Sequence, residues 1–520
     1  MNAPAKALPD GRNIDIALLL EGTFTYVSGG VSSWINQIIR AFPDLRFSIV
    51  FLGSRREDYG AQKYPLPDNV VHFEEHFLYD LPAKTEPTAR PGNAECFAKV
   101  ALLHESFMSQ APAAPESSPA ALFGQLVREM HPAGKLPLAD LLYSEQAWEQ
   151  IRERYHRHCT DPSFVDYFWT VRMMHAPLWV LAKVAHNMPP ARAYHAVSTG
   201  YAGLLGAMLQ KTTGRPLILS EHGIYTKERK IDLFKSEWIR DNRNVFQRDP
   251  TELSYFRQMW IRFFEWIGRL CYESADPIIA LYETNRLRQV ADGAQAERTF
   301  NIPNGVSLSR FAPLRCLRPE RTPPVLCLIG RVVPIKDVKN FIRAMRRVVN
   351  ELPAAEGWIA GPEDEDPAYA EECRNLVASL GLEQQVRFLG FRKVDELMPQ
   401  IGLTVLSSIS EALPLVILEG FAAGVPTITT DVGSCRQLVE GLDAEDRAFG
   451  PAGRVVGIAD PQALADAALE LLKDAPAWQR ASAAGIARVE RYYADTTMFE
   501  RYRAVYDKAL QYGEKDKGNN

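Results

Sequence analysis

Short apolar runs recur along the chain, each followed by a turn and then by a stretch with helical spacing. The run Ile14–Leu20 (IDIALLL) reads as a buried strand. It leads through the turn EGTFTYVSGGVSSW into SSWINQIIRAF, whose apolar positions have helical period, with Ser32 or Ser33 as N-cap; RFSIVFLG is then a second strand. Strand, glycine turn, helix and strand in this order open a parallel α/β layer. The turn lacks the GxGxxG spacing of a dinucleotide site, which disfavours NAD as a ligand.

From about residue 84 to residue 190 the pattern changes to Pro- and Ala-rich loop (TEPTARPGNAE, QAPAAPESSPAA) mixed with helix-like pieces, and predicts a helical insertion. The parallel pattern returns with the strand AYHAVS, the helix GYAGLLGAMLQKTTG and the strand PLILSEHG, which carries Glu221 and His222 at its carboxyl end. In open α/β sheets ligands collect at such ends. A long aromatic helix (LSYFRQMWIRFFEWIGRLCYESA) follows, predicted to pack in the core rather than on a membrane surface or a partner because Glu265 and arginines are interspersed among its bulky apolar residues, and then the strand DPIIALY. The proline-rich stretch NIPNGVSLSRFAPLRCLRPERTPP reads as a linker between two halves.

A second α/β series starts at VLCLIGRV and runs through DVKNFIRAMRRVVNEL, GWIAG, AYAEECRNLVASLGL, VRFLGF, VDELMPQI and LTVLSS. It ends in TVLSSISEALPLVILEGFAAGVPTITTDVG, a strand, a carboxylate-bearing loop, a helix that the proline keeps from starting early, and another strand. YYADTTMFERYRAVYDKALQYG is a final helix, and GEKDKGNN is expected to be disordered.

Length and composition narrow the reading. A chain of 520 residues is too long for one core. Its hydrophobic content of 46% with 24% charged residues describes an ordinary globular protein, and a net charge of -5 gives no footprint for nucleic acid. Seven cysteines without a CxxC pair fit neither a disulfide framework nor a zinc site, and point to a reducing cytosol. The N-terminus MNAPAKALPDGRN lacks a signal-peptide pattern, and IDIALLL is far shorter than the roughly 20 residues of a membrane span.

Candidate chemistry sits at the loops. Arg331 and Lys336 follow a strand at a spacing that lets both cations converge on one anion, although two exposed basic residues also form ordinary salt bridges. Glu411 falls on a strand-to-helix loop and Glu419 near the first turn of the next helix. Two carboxylates suggest a hydrolase's acid and base, while a buried acid at a helix start also serves as a cap. The amides of Leu413, Leu415 and Val416 can reach a phosphate at this helix start. Gly29 and Gly30 let backbone approach a ligand, or make a plain tight turn. Gly390, Phe391 and Arg392 follow a strand and are candidates to cradle a nucleobase, whereas His195 in AYHAVS reads better as a satisfied structural histidine.

SGGV, EHGIY, PNGV, GRVVPIKD and SEALPLVILEGFAAGVPTITTDVG, in this order, resemble the retaining GT-B glycosyltransferases of family 4, relatives of glycogen synthase. The insertion followed by HGIYTKERKIDL is similar to the Pel-polysaccharide glycosyltransferases, PelF. The resemblance implies two Rossmann-like domains facing across a cleft. Residues 1–302, with a crossing helix at 492–512, would take the acceptor; residues 303–491 would bind the nucleotide sugar. It implies transfer from UDP-glucose or a UDP-N-acetylhexosamine to a growing exopolysaccharide, with no cofactor and no required metal. Arg331 and Lys336 would neutralise the departing diphosphate, Glu411 would hold the donor sugar, and Glu419 the ribose hydroxyls. His222 would contact the donor sugar near the reacting carbon, and the Gly29–Gly30 loop would lie beside the donor phosphates. A cytoplasmic protein, peripheral at the inner membrane through a polysaccharide synthase and export complex, follows from the same likeness. The family's usual glycine after the lysine is here Asp337, and its acidic residue after the final glycine is here Gln437. A catalytically silent UDP-sugar sensor or scaffold, and phosphorolysis with a pyridoxal cofactor, remain as alternatives.

Overall fold

The computed structural model describes residues 13–27, 29–80, 88–108, 119–131, 133–244 and 252–515. The chain forms two compact units, one of Met1–Asn301 with Arg503–Asn520 and one of Ile302–Tyr502.

Unit 1 is built on a seven-stranded sheet of β1 (Ile14–Glu21), β2 (Phe47–Gly53), β3 (Val70–Phe77), β4 (Ala191–Ala196), β5 (Leu217–Glu221), β6 (Ile278–Ala280) and β7 (Thr299–Asn301). The order is β3-β2-β1-β4-β5-β6-β7, and every pairing is parallel. β1 and β2 are almost wholly buried, as unbroken apolar runs require when both faces of a parallel sheet are covered. From β1 the chain steps to β2 and β3 on one side and then returns to place β4 on the other. Successive connections therefore part at the carboxyl ends of β1 and β4 and leave a crevice there.

The first helix, Gly30–Ala41, starts earlier than its serines suggest. Gly29 occupies the N-cap, its carbonyl accepting from the Ser33 amide at 3.0 Å, and Ser32 is buried inside the first turn. Neither serine caps the helix, because the cap is a backbone group on a residue with no side chain to compete.

Five helices follow in the insertion: Ala94–Met108, Pro119–Val127, Leu138–Tyr143, Glu145–His158 and Phe164–Asn187. Their inward residues Phe97, Phe123, Tyr167 and Met174 share one core with Trp260, Phe263 and Trp266 of the aromatic helix Tyr255–Ser274. The loop stretches around residues 81–87 and 109–118 lie outside the described residues.

Unit 2 holds a six-stranded parallel sheet of β8 (Val325–Ile329), β9 (Glu356–Ala360), β10 (Val386–Gly390), β11 (Leu403–Leu406), β12 (Thr427–Thr430) and β13 (Gly453–Val456). Its order, β10-β9-β8-β11-β12-β13, repeats the reversal of unit 1, with the switch point between β8 and β11. The proline-rich stretch is not an open linker. Leu308–Phe311 and Ala312–Leu317 are short helical turns, Phe311 is buried, and Arg315 donates to the Ala422 carbonyl at 2.7 Å. Gly305 of the PNG turn lies against Asp495, whose Cα a β-carbon would approach to 2.4 Å.

The final helix spans Asp495–Lys515, so GEKDKGNN begins inside it, and residues 516–520 lie outside the described residues. Within unit 1 its Tyr506 hydroxyl meets His195 Nδ1 at 2.9 Å and Arg503 pairs with Asp44 at 2.8 Å.

Helix Ala475–Tyr492 backs the helix Leu415–Ala422 that follows the β11 loop, with Gly485 accommodating the Phe421 ring. Arg488 anchors it. This fully buried guanidinium pairs with Asp446 and donates to the carbonyls of Val439 at 2.8 Å, Asp446 at 3.0 Å and Gly450 at 2.9 Å. Arg488→Leu leaves the buried Asp446 without its cation, with the Leu442 amide at 2.9 Å still donating to it, and should destabilise unit 2 by about 3–5 kcal/mol. Calorimetric unfolding checks this, with the unit 2 transition lowered and that of unit 1 unchanged.

Candidate functional site

The loops leaving β8 and β11 carry the residues expected to do chemistry in unit 2. Gly330 follows β8 with φ +158°, and Gly361 packs so closely that a β-carbon there would fall 1.9 Å from the Gly330 carbonyl oxygen. The chain then makes a tight turn over Pro334–Lys336 and enters the helix Val338–Glu351 through Asp337, at φ 43° and ψ 52°. This left-handed position favours glycine, and an aspartate tolerates it better than most residues. From the β11 side, the Ser407 hydroxyl contacts the carbonyls of Lys336 at 2.9 Å and Asp337 at 3.0 Å, and the Ile409 amide donates to Ile335 at 2.9 Å.

This lacing brings Lys336 to Glu411. The ammonium lies 2.6 Å from Glu411 Oε1, which also accepts from the Ser408 hydroxyl at 2.7 Å, and both charged side chains are largely withdrawn from solvent. Gly433 holds the Glu411 loop from behind: at φ +56°, its β-carbon would stand 2.2 Å from the Glu411 carbonyl oxygen. The Ser434 amide donates to Ala412 at 2.9 Å. Arg331 does not join Lys336 on a shared anion. It is half exposed and forms a two-oxygen ion pair with Glu365 at 2.6 Å.

Helix Leu415–Ala422 begins at Leu415, after Pro414 and with no side-chain cap. Leu415 and Val416 are its first two residues, whose amides have no acceptor inside the helix; Leu413 precedes the start. Glu419 therefore sits in the second turn rather than the first, and it does not cap the helix. Burial raises its pKa to about 7, opposed by Arg310 and reinforced by Asp395. Arg310 and Asp395, which pair at 2.6 Å, belong to this neighbourhood and have no signal in the sequence pattern. Gly390 ends β10 at φ +60°, Phe391 is 78% exposed and Arg392 is exposed, so all three face open space. Gln437 donates to the Tyr493 hydroxyl at 3.1 Å.

In unit 1 the crevice between β1 and β4 opens into a cavity of about 660 Å³, a size that encloses a small molecule or part of a larger one. Glu21, at the end of β1, accepts from the Tyr225 hydroxyl at 3.0 Å and the Ala202 amide at 3.3 Å. Tyr225 in turn accepts from Arg229 at 2.8 Å, and the guanidinium lies over the Tyr225 and Phe264 rings. Gly200 makes room for this network, since a β-carbon there would stand 2.4 Å from Glu21 Oε2. Burial raises the Glu21 pKa, with Arg229 opposing. His222 lines the same cavity, its ring against Trp34 at 4.6 Å and its Nε2 buried without a hydrogen-bond partner among the described residues. Burial lowers its pKa to about 4, so the imidazole is neutral at pH 7. Gly29 and Gly30 have open space where a side chain would project, and Ser28 lies outside the described residues.

The two neighbouring titratable groups are structural. His195 is buried between Tyr506 and Ser220 at 2.9 and 2.8 Å. Glu221 accepts from Tyr272 at 2.7 Å, Thr199 at 2.8 Å and Gln289 at 3.0 Å. Tyr225 and Arg229 lie within HGIYTKERKIDL, but their meeting with Glu21, whose one local signal is its place at the carboxyl end of the first strand, is not encoded in that motif. Among the described residues no group of three or more histidines, cysteines or carboxylates is placed to hold a metal ion, and no helix is long and apolar enough to cross a membrane.

Residues 14–297 match the family described as a domain of unknown function (DUF3492), a match that takes in more than half of the chain. The chain belongs to the DUF3492 family. Beyond that DUF3492 region, residues 323–474 match Glycosyl transferases group 1. The D-inositol 3-phosphate glycosyltransferase of Kineococcus radiotolerans is 28% identical over 266 residues, 46% of this chain and 60% of the relative. The lipopolysaccharide core biosynthesis mannosyltransferase LpsB of Rhizobium meliloti is 26% identical over 239 residues, 43% of this chain and 66% of the relative. An exopolysaccharide phosphotransferase of Streptomyces coelicolor is 33% identical over 202 residues, 38% of this chain and 20% of the relative. The chain thus spans less than two thirds of the length of these three relatives.

Among solved structures, Anabaena HepE in complex with UDP and glucose superposes with a TM-score of 0.56 at 16% identity, covering 95% of this chain and 100% of HepE. Sucrose-phosphate synthase from Thermosynechococcus elongatus gives 0.55 at 16% identity, covering 96% and 99%. These likenesses establish the fold: two parallel-sheet, Rossmann-like units of the GT-B type.

Two outcomes follow from the unit 2 geometry. Gly433→Ala forces a side chain into the Glu411 carbonyl at a left-handed position and should cost about 1–3 kcal/mol in denaturant unfolding. Glu419 has a folded pKa raised to about 7 from the ordinary 4.5, so it contributes stability below about pH 4.5 that is lost as pH rises through 7. Relative to Glu419→Gln, the native chain should lose up to about 3 kcal/mol between those limits, read from denaturation midpoints across pH.

Proposed function

We propose that this chain is a retaining glycosyltransferase that moves a sugar from a UDP-sugar, UDP-glucose or a UDP-N-acetylhexosamine, to a growing exopolysaccharide of the Pel type. The observation that carries the reading is the cluster of Lys336, Glu411 and Ser408 at the switch point of the unit 2 sheet, beside the free amides at the start of helix Leu415–Ala422. A carboxylate for sugar hydroxyls stands next to a cation and to helix-terminal amides for a diphosphate, which is the donor-set a nucleotide sugar needs. A hydrolase would have no use for the cation.

In this reading the bond from the sugar's anomeric carbon to the β-phosphate oxygen breaks, and the negative charge that builds on departing UDP is met by Lys336 and by Arg331 released from Glu365. The acceptor hydroxyl attacks the same face of the sugar, and its proton passes to the β-phosphate. Glu411 supports the positive charge on the anomeric carbon. Glu419 holds the ribose, Gly390, Phe391 and Arg392 the base, and Gly29 and Gly30 border the donor phosphates. No metal or cofactor enters these steps. Unit 1 takes the acceptor in the Glu21 cavity, and neutral His222 contacts the donor sugar near the reacting carbon. The Pel assignment is supported by the helical insertion and by HGIYTKERKIDL, and it carries with it a cytoplasmic site of action beside an inner-membrane synthase and export complex.

Calorimetry against UDP, GDP and ADP sugars, followed by product analysis with the tightest binder, tests the reading. UDP sugars should bind best, and Lys336→Ala and Glu411→Gln should each lower transfer by about 10²–10³-fold. Preference for GDP or ADP overturns the donor; binding without turnover leaves a UDP-sugar sensor; transfer intact in both variants ends the assignment of roles.

A further inference from the structure

One exposed aromatic side chain, Trp238, lines the unit 1 cavity beside rings that belong to the core. Trp238 is 58% exposed, yet its ring is held edge-on to Trp260 at 5.7 Å, and both line the cavity. On the insertion helix Phe164–Asn187, Val165, Trp169 and Met173 recur every four residues and are all exposed, so they form one stripe along a helix face. The stripe ends in the cavity, because Met173 is part of its wall. Trp169 is also held in place: the Arg172 guanidinium lies 5.8 Å from its ring centre and 5.0 Å from that of Phe168, and Arg172 is itself tied to the Leu142 carbonyl at 2.7 Å. Ring contacts lead on from Phe168 to the half-exposed Trp148 at 5.9 Å.

Exposed indole rings fixed by their neighbours, beside a cavity whose wall sets Glu21, Arg229 and His222 among aromatic and aliphatic side chains, suit one class of ligand. A sugar ring presents an apolar face of C–H groups, which packs on an aromatic plane, and a hydroxyl edge, which stays in water or reaches polar groups. A lipid tail would match the rings but would bury Glu21, Arg229 and His222 at the cavity's inner end against hydrocarbon, a costly burial for polar groups.

We propose that Trp238 and Trp169 are outer sugar-binding platforms continuous with the acceptor cavity, so that unit 1 selects the end of a saccharide chain over a free monosaccharide. This rests on the reading that the Glu21 cavity takes the acceptor. The sugars nearest the reaction occupy the cavity, and those further back along the chain stack on Trp238 and along the Val165–Trp169–Met173 stripe. The platforms are specificity-determining residues that touch only the part of the acceptor remote from the reaction.

The test is calorimetric titration of the full chain with glucose and N-acetylglucosamine oligosaccharides from monosaccharide to hexasaccharide, with UDP titrated separately. Affinity should rise with length. Trp238→Ala and Trp169→Ala should each weaken the hexasaccharide roughly tenfold, leave UDP affinity unchanged, and be largely rescued by Trp→Phe at the same position; Trp169→Ala, outside the cavity wall, should also leave monosaccharide affinity unchanged. Both side chains are exposed, so the variants fold. Affinity independent of length, a length dependence untouched in both variants, or no oligosaccharide binding overturns the proposal. So does binding of phosphatidylglycerol vesicles that both alanine variants abolish, which would make the stripe a lipid surface. Failure of UDP to bind would instead sink the donor reading and leave the track to stand or fall on the oligosaccharides.

Discussion

A parallel sheet whose strand order reverses cannot cover both sides of the reversal with the same connections. In each unit the chain goes out through two strands and comes back to the other side of the first one, so the loops at β1 and β4, and at β8 and β11, diverge. In unit 2 the divergence is bridged by Ser407, which hydrogen-bonds the turn that bears Lys336, and by the Lys336–Glu411 pair itself. The pair closes the crossing with both groups satisfied and largely withdrawn from solvent.

Unit 1 applies the same topology to different chemistry. Its crevice is walled by aromatic rings, and burial moves Glu21 and His222 toward their neutral forms. The neutral His222 imidazole can recognise a ligand by hydrogen bonding without demanding a counter-charge, which suits uncharged hydroxyls. The tyrosine hydroxyl between Glu21 and Arg229 keeps carboxylate and guanidinium from closing directly on each other, and so leaves the cavity open.

What could be read from the sequence follows burial. IDIALLL, FSIVFLG and VLCLI are unbroken apolar runs because both faces of those strands are covered, and they stand out without any structure. β3 (VVHFEEHF) is an edge strand with polar positions, while β7 and β13 are edge strands of three and four residues; none declares itself by pattern. The loop carrying Lys336 and the loop carrying Glu411 were legible as places, since each follows a strand. Their partners were not. Arg331 is drawn off by Glu365, 34 residues away, and Glu21 meets Tyr225 across 204 residues. Contacts of that range arise from the fold, and no local spacing encodes them.

Asp337 shows what the unit 2 site demands of its backbone. Its left-handed conformation costs an L-residue roughly 1–2 kcal/mol, and its side chain caps nothing. Its carbonyl, however, accepts both the Ser407 hydroxyl and the Asn340 amide, each at 3.0 Å. The strained turn is thus fastened from the β11 side and from the helix that follows, and the strain sits next to the one residue, Lys336, whose position depends on it. Backbone strain that persists only where two elements hold it, directly beside a charged pair at a switch point, fixes where that pair sits.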